Sequence, residues 1–427
     1  MYILGLNTYH GDSSAALLKD GELMCAYEEE RFTRFKHWAG LPLLSIRACL
    51  TDAGISIQDI DHITISRDPS VNKKQKIFFA LKNRIKIKAL IHRSKHISKV
   101  ATIGKDIAIE FGLKEKELKP EVHYLEHHCT HMASSFFASP FNDSAILSID
   151  GFGDFCSTKT GIGNDNKMTV LDSVLFPHSV GIFYTALTQY LGFNNYGDEY
   201  KVMGLAPYGK PIFLKEMEKI IMLKSNGLFQ LGLDYFVHHK AGVSTNIMIN
   251  NDPTPSRIFS DNLIDLLGPL RKKEEKLEEH HLNIASSIQV MTENIIFHML
   301  NHLQEKTKME NICIAGGVAQ NSVANGKILQ KTGFKRIYIP SASHDAGTSY
   351  GSAIYYHNQV LGNKRADPVF NAYTGSKFTE EEIQELLDKK GIEYKVYDDA
   401  ALYDVVSQKM VDGGVIGWFQ GRAEFGP

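Results

Sequence analysis

No hydrophobic run in this chain approaches the ~20 residues that a membrane-spanning helix needs. No basic segment precedes the first apolar stretch, YILGLN, which follows Met1 directly, so no secretory signal is expected. Cysteine is sparse: five residues at 25, 49, 129, 156 and 313, odd in number, irregular in spacing and without a CxxC. That usage argues for a reducing, cytoplasmic setting over a disulfide frame. An excess of one charge is also missing. The net charge of -2 gives no electrostatic reason to expect nucleic acid as a partner. What remains is ordinary for a globular protein, with 43% hydrophobic and 22% charged residues, and 427 residues suffice for two or three domains.

The stretch HHCTHMASSFFASPFNDSAILSID, from His127 to Asp150, is the focus of the reading. His127 and His131 stand four apart in a segment that reads as a helix, so their side chains share one face, one turn apart. Two imidazoles so placed can take adjacent positions on a metal ion. The chain breaks at FASPFND and enters a strand, AILSI, that ends on Asp150 with GFGD behind it. Two histidines and a strand-end carboxylate suit iron, zinc or manganese. The plainer alternative is a pair of surface or hydrogen-bonded histidines on one helix.

The order of elements around this stretch repeats. Residues 2–7 read as a buried strand and TYHGDSS as a polar turn. AALLKDGELMCAYEE reads as two strands joined at Asp20-Gly21, a strong hairpin signal. A helix is expected over about 41–53, ended by Gly54, and a strand in IDHITIS. From Ser144 the same order returns: AILSI, the turn DGFGD, two strands meeting across Asn164-Asp165-Asn166, and a helix in SVGIFYTALTQYLGF. This predicts an α/β protein of two related lobes, with TYHGDSS and DGFGD facing each other across a cleft. Paired glycine turns of this kind can offer backbone N–H groups to phosphate.

Other segments add to the frame. Residues 68–120 contain a basic, interleaved run, KKQKIFFALKNRIKIKALIHRSKHISK, read as an insertion packing on its own domain, with a membrane or RNA surface as the alternative. NNYGDEYKVMGLAPYGKP reads as a loop holding Asp198, Glu199 and Lys201 together: a solvated turn, or a lysine carried to substrate or phosphate. The helix over about 282–303, apolar at 284, 288, 291, 295 and 299, is core. ICIAGGVAQNSVAN runs a strand into Gly316-Gly317, with a helix opening near Gln320. Asp345, in the turn SASHDAG before a helix, is a fourth ligand, or with Ser343 merely a helix cap. Beyond a linker near 366–368, two helices and a strand, GVIGWFQ, are expected to open a new unit.

Six ordered motifs resemble one family: EEERFTR at 28–34, HHCTH at 127–131, IDGFGD at 149–154, GDEYKVMGLAPYG at 197–209, IAGGVAQN at 314–321 and SHDAG at 343–347. Together they resemble the O-carbamoyltransferases of the nodulation and antibiotic-tailoring type. That family is similar in its first domain to tRNA threonylcarbamoyl-transfer enzymes. The resemblance implies duplicated actin-like ATPase (ribonuclease H-like) lobes with a central cleft over 1–365, joined near 120–143. It implies that 366–427 begins an α+β domain that forms carbamoyl-adenylate and of which this chain carries only the opening. The implied reaction uses carbamoyl phosphate and ATP, through carbamoyl-adenylate, to carbamoylate a hydroxyl of a sugar or similar small acceptor. Fe(II) or another divalent metal, ATP and Mg2+ are the implied cofactors, with a homodimer left open.

Carried onto this sequence, the implied metal ligands are His127, His131, Asp150 and Asp345, with His128 as an alternative three residues before His131. Gly151, Gly153, Lys201, Gly316, Gly317 and Asn321 fit the nucleotide site, and His10, Asp12 and Lys201 the catalytic roles. One departure concerns the first turn. The family places His directly before Asp, whereas Gly11 here separates His10 from Asp12. The competing readings are a tRNA threonylcarbamoyl-transfer protein and a nucleotide-binding subunit without catalysis.

Overall fold

The computed structural model describes residues 1–82, 100, 102–243, 245–249 and 252–427, and the side chains of all of these except 245–249 and 252. Much of the basic run therefore lies outside the described residues. Of its described part, the helix Lys73–Lys82 leaves Ile77, Phe78 and Leu81 exposed, while Phe79 meets the rings of Phe155 and Phe176.

The first lobe is built on strands β1 (Tyr2–Asn7), β2 (Ser14–Lys19) and β3 (Glu22–Glu28), followed by helix α1 (Leu43–Ala53), β4 (His62–Ile65) and β5 (Glu121–Tyr124). Asp20 and Gly21 both take positive φ between β2 and β3, as a tight two-residue hairpin requires. Gly54 closes α1 in the left-handed region. The sheet runs β3-β2-β1-β4-β5, with the first three strands antiparallel and the last two parallel to β1.

Helix α2 (His127–Phe136) then leads into the second lobe: β6 (Asp143–Gly153), β7 (Cys156–Asn164), β8 (Lys167–Leu175), α3 (Val180–Tyr190), α4 (Glu199–Leu205), the long α5 (Glu279–Thr307), β9 (Asn311–Ala315), β10 (Arg336–Tyr338) and α6 (Gly347–Tyr355). Its sheet runs β8-β7-β6-β9-β10, the same order and the same strand directions as the first. This is a duplicated two-lobe α/β architecture, each lobe built on a five-stranded sheet of the same order. On α5 the apolar residues Ile284, Ile288, Met291, Ile295 and Met299 are all buried in the second lobe's core, as their spacing predicts. Two small hairpins elaborate 211–280.

The helices that end each lobe are exchanged between sheets. α2 follows β5 of the first lobe but packs on β6 and β9 of the second. α6 follows β10 of the second lobe but packs on β1, β2 and β4 of the first. Met132 and Phe136 of α2 join Ile3, Leu18, Ile146 and Tyr350 in one buried cluster between the lobes. Burying a side chain such as Phe136 contributes roughly 1.5–3 kcal/mol. α2 and α6 cross at Gly351, where a Cβ would stand 2.8 Å from the carbonyl carbon of Thr130. Only glycine lets the two helix backbones come this close.

Beyond the second lobe, α7 (Glu380–Lys390) and α8 (Asp399–Val411) form as the sequence predicts, each with its own N-cap and no buried residue. The expected strand at 414–420 does not form. That segment is irregular and Val415 is fully exposed. A lone extended segment gains ladder hydrogen bonds only beside a partner strand, and among the described residues none pairs with it. Phe425 is nevertheless buried against the lobe-interface cluster, and the Gly426 N–H donates to Glu28.

Candidate functional site

The helix exchange brings the ends of four chain segments together. Glu126 caps α2, its carboxylate accepting from the Cys129 N–H at 2.7 Å, and so fixes where the helix begins. His127 and His131 then project from one face, with their Nε2 atoms 3.1 Å apart. Asp150 lies where β6 slips out of register with β7, between the pairs Ile149–Thr158 and Gly153–Cys156. An irregularity of that kind re-aims a strand side chain. Here it turns the Asp150 carboxylate to within 3.4 Å of His127 Nε2 and 3.9 Å of His131 Nε2. Asp345 arrives from the second lobe just before α6, with Oδ1 3.5 Å from His127 Nε2 and 3.3 Å from His131 Nε2. It does not cap α6, which has no side-chain cap, so the cap reading of Asp345 is set aside.

One ligand atom from each of the four residues lies within 4.8 Å of every other, and all four residues are buried. Donors bonded to one ion at 2.0–2.2 Å stand about 3.3–3.6 Å apart in a tetrahedron, so the donor separations suit a single metal. Asp345 Oδ1 and His131 Nδ1 are buried and, among the described residues, have no hydrogen-bond partner. An unsatisfied carboxylate oxygen is costly in a protein interior and is accounted for by a cation it would ligate. His128 is not part of the set. Its Nδ1 meets Ser148 Oγ at 2.8 Å, and burial lowers its pKa to about 3.

The charges around the centre are interlocked. Burial and the neighbouring Asp345 both push the Asp150 carboxyl upward, but His127 and His131 outweigh them and hold it at about 2. Burial likewise opposes ionisation of Asp345, which His10, His127 and His131 together hold well below the usual carboxylate range. Burial disfavours the charged form of both imidazoles. The two carboxylates carry His127 above its ordinary value, whereas burial and the nearby His127 leave His131 below.

Around the four ligands, His10 reaches across from the first lobe. Its Nδ1 stands 2.5 Å from Asp345 Oδ2 and its ring 5.4 Å from that of His127. The first turn thus meets the second lobe's carboxylate, despite the one-residue displacement created by Gly11. Asp12 turns instead to His37, whose Nδ1 lies 2.6 Å from its Oδ1, while Glu30 accepts from the His37 N–H. Burial works against a charged His37, but Asp12 raises its pKa overall. His37 also meets the Tyr196 ring edge-on at 4.8 Å. Neither His37 nor Tyr196 was expected at the site, and the separation of 25 positions between Asp12 and His37 leaves no local signal of their pairing. Asp154, in a left-handed conformation, accepts from the N–H groups of His127 and Asp68 and so ties the second turn to α2.

The expected nucleotide residues fall in two groups. Gly153, Gly316 and Gly317 are closely approached by other parts of the protein. A Cβ on Gly153 would lie 2.6 Å from His127 Nε2, and one on Gly316 2.6 Å from the Ile149 carbonyl carbon. The Gly317 N–H donates to Asp150 Oδ1 at 2.8 Å. Asn321 caps a short helix through the Ala324 N–H and exchanges hydrogen bonds with Gln289. Gly151, by contrast, has open space where a side chain would stand. Lys201 lies in α4 rather than in a loop, 2.6 Å from Asp198. The segment is helical because Val202 buries inward against the second-lobe core.

Comparison with known proteins places this geometry. Residues 2–354 match the family described as Carbamoyltransferase N-terminus. The chain is 38% identical to an uncharacterized Synechocystis protein over all of its own length and 69% of the relative's. It is 33% identical to the nodulation protein NolNO of Sinorhizobium fredii, over 99% of this chain and 57% of that protein. A 177-residue stretch, 41% of this chain and 30% of the relative, is 25% identical to 3'-hydroxymethylcephem-O-carbamoyltransferase of Streptomyces clavuligerus. Among solved structures, HypF of T. kodakarensis aligns over 85% of this chain and 48% of its own at 13% identity and a TM-score of 0.42. The chain spans a little over half the length of NolNO and about half that of the nodulation protein NolO of Bradyrhizobium diazoefficiens. By the match over 2–354, the chain belongs to the carbamoyltransferase family, a family of transferases.

Proposed function

We propose that this chain transfers a carbamoyl group from carbamoyl-adenylate, formed from carbamoyl phosphate and ATP with Mg2+, to a hydroxyl of a sugar or similar small acceptor. Bond by bond, the acceptor oxygen attacks the carbamoyl carbon, the bond to the AMP phosphate breaks, and AMP leaves as the acceptor loses a proton. The observation that carries the reading is the buried His127–His131–Asp150–Asp345 cluster where the two lobes meet, in a member of this family. Those four residues would hold a divalent metal, Fe(II) first by family and zinc or manganese by ligand type. Such an ion supplies positive charge beside the developing phosphate or carbonyl oxygen.

The chain's own residues do the rest. His10, bonded to Asp345, and the Asp12–His37 pair stand on the first-lobe side, where an acceptor hydroxyl must give up its proton. Gly151 leaves the open approach to the nucleotide, and Lys201 offers a cation for its phosphate. We assign this chemistry to residues 1–365; of the following stretch α7 and α8 bury no residue, while Phe425 returns to the lobe-interface cluster. The test supplies purified protein with preformed carbamoyl-adenylate and a panel of aminoglycoside, oligosaccharide and cephem acceptors. AMP release dependent on acceptor, slowed roughly 10²-fold in Lys201→Ala, is expected. Release of AMP at the same rate with and without every acceptor would overturn the reading.

A further inference from the structure

A second group of donors stands apart from the cleft. His62 opens β4, and Glu121 and His123 lie two apart on β5, so both β5 side chains share a face. The strands are neighbours in register, with His62 opposite Glu121 and Thr64 opposite His123. His62 Nδ1 and His123 Nε2 are 3.1 Å apart, the same separation as between the Nε2 atoms of His127 and His131. The Glu121 carboxylate is 3.7 Å from His123 Nε2, and one atom from each residue lies within 4.8 Å of the others.

The group is also positioned from outside. Tyr356, at the end of α6, stacks on His123 at 4.1 Å and stands 4.9 Å from His62. One turn earlier Ser352 meets Thr64 Oγ1 at 2.9 Å, so α6 fixes the face on which His62 points. A nine-residue helix spans about 14 Å. That length separates this group from Asp345 at the other end of α6.

We propose that His62, Glu121 and His123 form a second, structural site for a divalent cation of the zinc class. Two imidazoles and one carboxylate are the three-ligand set of an open zinc site whose fourth position is water, and Glu121 faces solvent. Bound there, the ion would tie β4 to β5 at the edge where α6 arrives, bracing the first-lobe sheet against the helix that delivers Asp345. This inference does not depend on carbamoyl transfer.

The test is zinc stoichiometry on the full chain after chelation and dialysis, read by elemental analysis, with the wild type compared with His123→Phe, His131→Ala and the double variant. His123→Phe removes the donor but keeps a ring against Tyr356. The proposal expects His131→Ala to retain one equivalent, lost in the double variant, and zinc to raise the thermal midpoint of His131→Ala but not of the double variant. Equal zinc content in the His131→Ala and double variants would overturn it and leave a single proton shared between the two imidazoles. If His123→Phe does not fold, Glu121→Gln with His62→Asn takes its place with the same readout.

Discussion

Gly351→Ala tests whether the helix crossing holds the metal ligands together. A Cβ at this position would stand 2.8 Å from the Thr130 carbonyl carbon and 3.1 Å from Ser134 Cβ. Carbon atoms in contact prefer about 3.5–4.0 Å, so α2 and α6 must part by about 0.7 Å or more. Overpacking of this kind costs about 1–3 kcal/mol. The displacement falls on the elements that carry His127 and His131 on one side and lead from Asp345 on the other. Metal bonds of 2.0–2.2 Å tolerate little of it. The expected result is a lower urea midpoint together with metal affinity at least ~10-fold weaker by competition with a chelator, about 1.4 kcal/mol. Gly204→Ala in α4 is the control, because nothing among the described residues lies within 4 Å of the Cβ it would add. It should leave metal affinity unchanged and stability equal or slightly higher. Wild-type stability and metal affinity in Gly351→Ala would refute the claim that this crossing sets the ligand geometry.

Gly317→Val would place a side chain 2.9 Å from Asp150 Oδ1, so calorimetry should find both ATP and metal bound more weakly, whereas an unchanged ATP affinity would remove Gly317 from the nucleotide site. Lys159 and Glu126 form a largely buried pair at 2.8 Å, and Lys159 helps hold the Glu126 carboxyl at about 2 against its burial. Lys159→Met should cost about 3–5 kcal/mol in urea unfolding by stranding the charge that caps α2, and Glu126→Gln should recover part of that loss in the double variant. His238 is buried and neutral, its Nε2–H donating to the Pro177 carbonyl at 2.8 Å, and burial depresses its pKa from 6.5 to about 4. Its contribution is present in full above pH 6.5 and falls away as pH drops toward 4, by up to about 1.4 kcal/mol per pH unit. The stability gap between wild type and His238→Asn should therefore be wider at pH 7 than at pH 4.5, and a gap independent of pH would contradict the neutral assignment.

The duplicated lobes were legible because hairpin signals and strand periodicity are local. Asp20-Gly21 and the turn after Asn164 sit where two-residue connections need them. The His127–His131 pair was legible for the same reason, being set by one turn of one helix. The exchange of α2 and α6 was not, since an apolar helix face says that it is buried and not against which sheet. Gly153 and Gly316 read as letting a nucleotide approach the backbone, and nothing local showed that a side chain there would also collide with His127 and Ile149. His37 was missed because its partner Asp12 is brought to it only by tertiary folding. Residues 414–420 had the composition of a strand but no neighbouring strand to pair with.

The account rests on one metal ion held by His127, His131, Asp150 and Asp345. Its most direct test is the metal content of protein purified anaerobically with iron supplied, and again with zinc or manganese, alongside His131→Ala and Asp345→Asn. The account predicts at least one tightly held equivalent of one of these metals in the wild type, one equivalent fewer in each variant, and variants that remain folded by circular dichroism. Wild-type protein that holds none of the three metals, or folded variants that hold as much as the wild type, would contradict it.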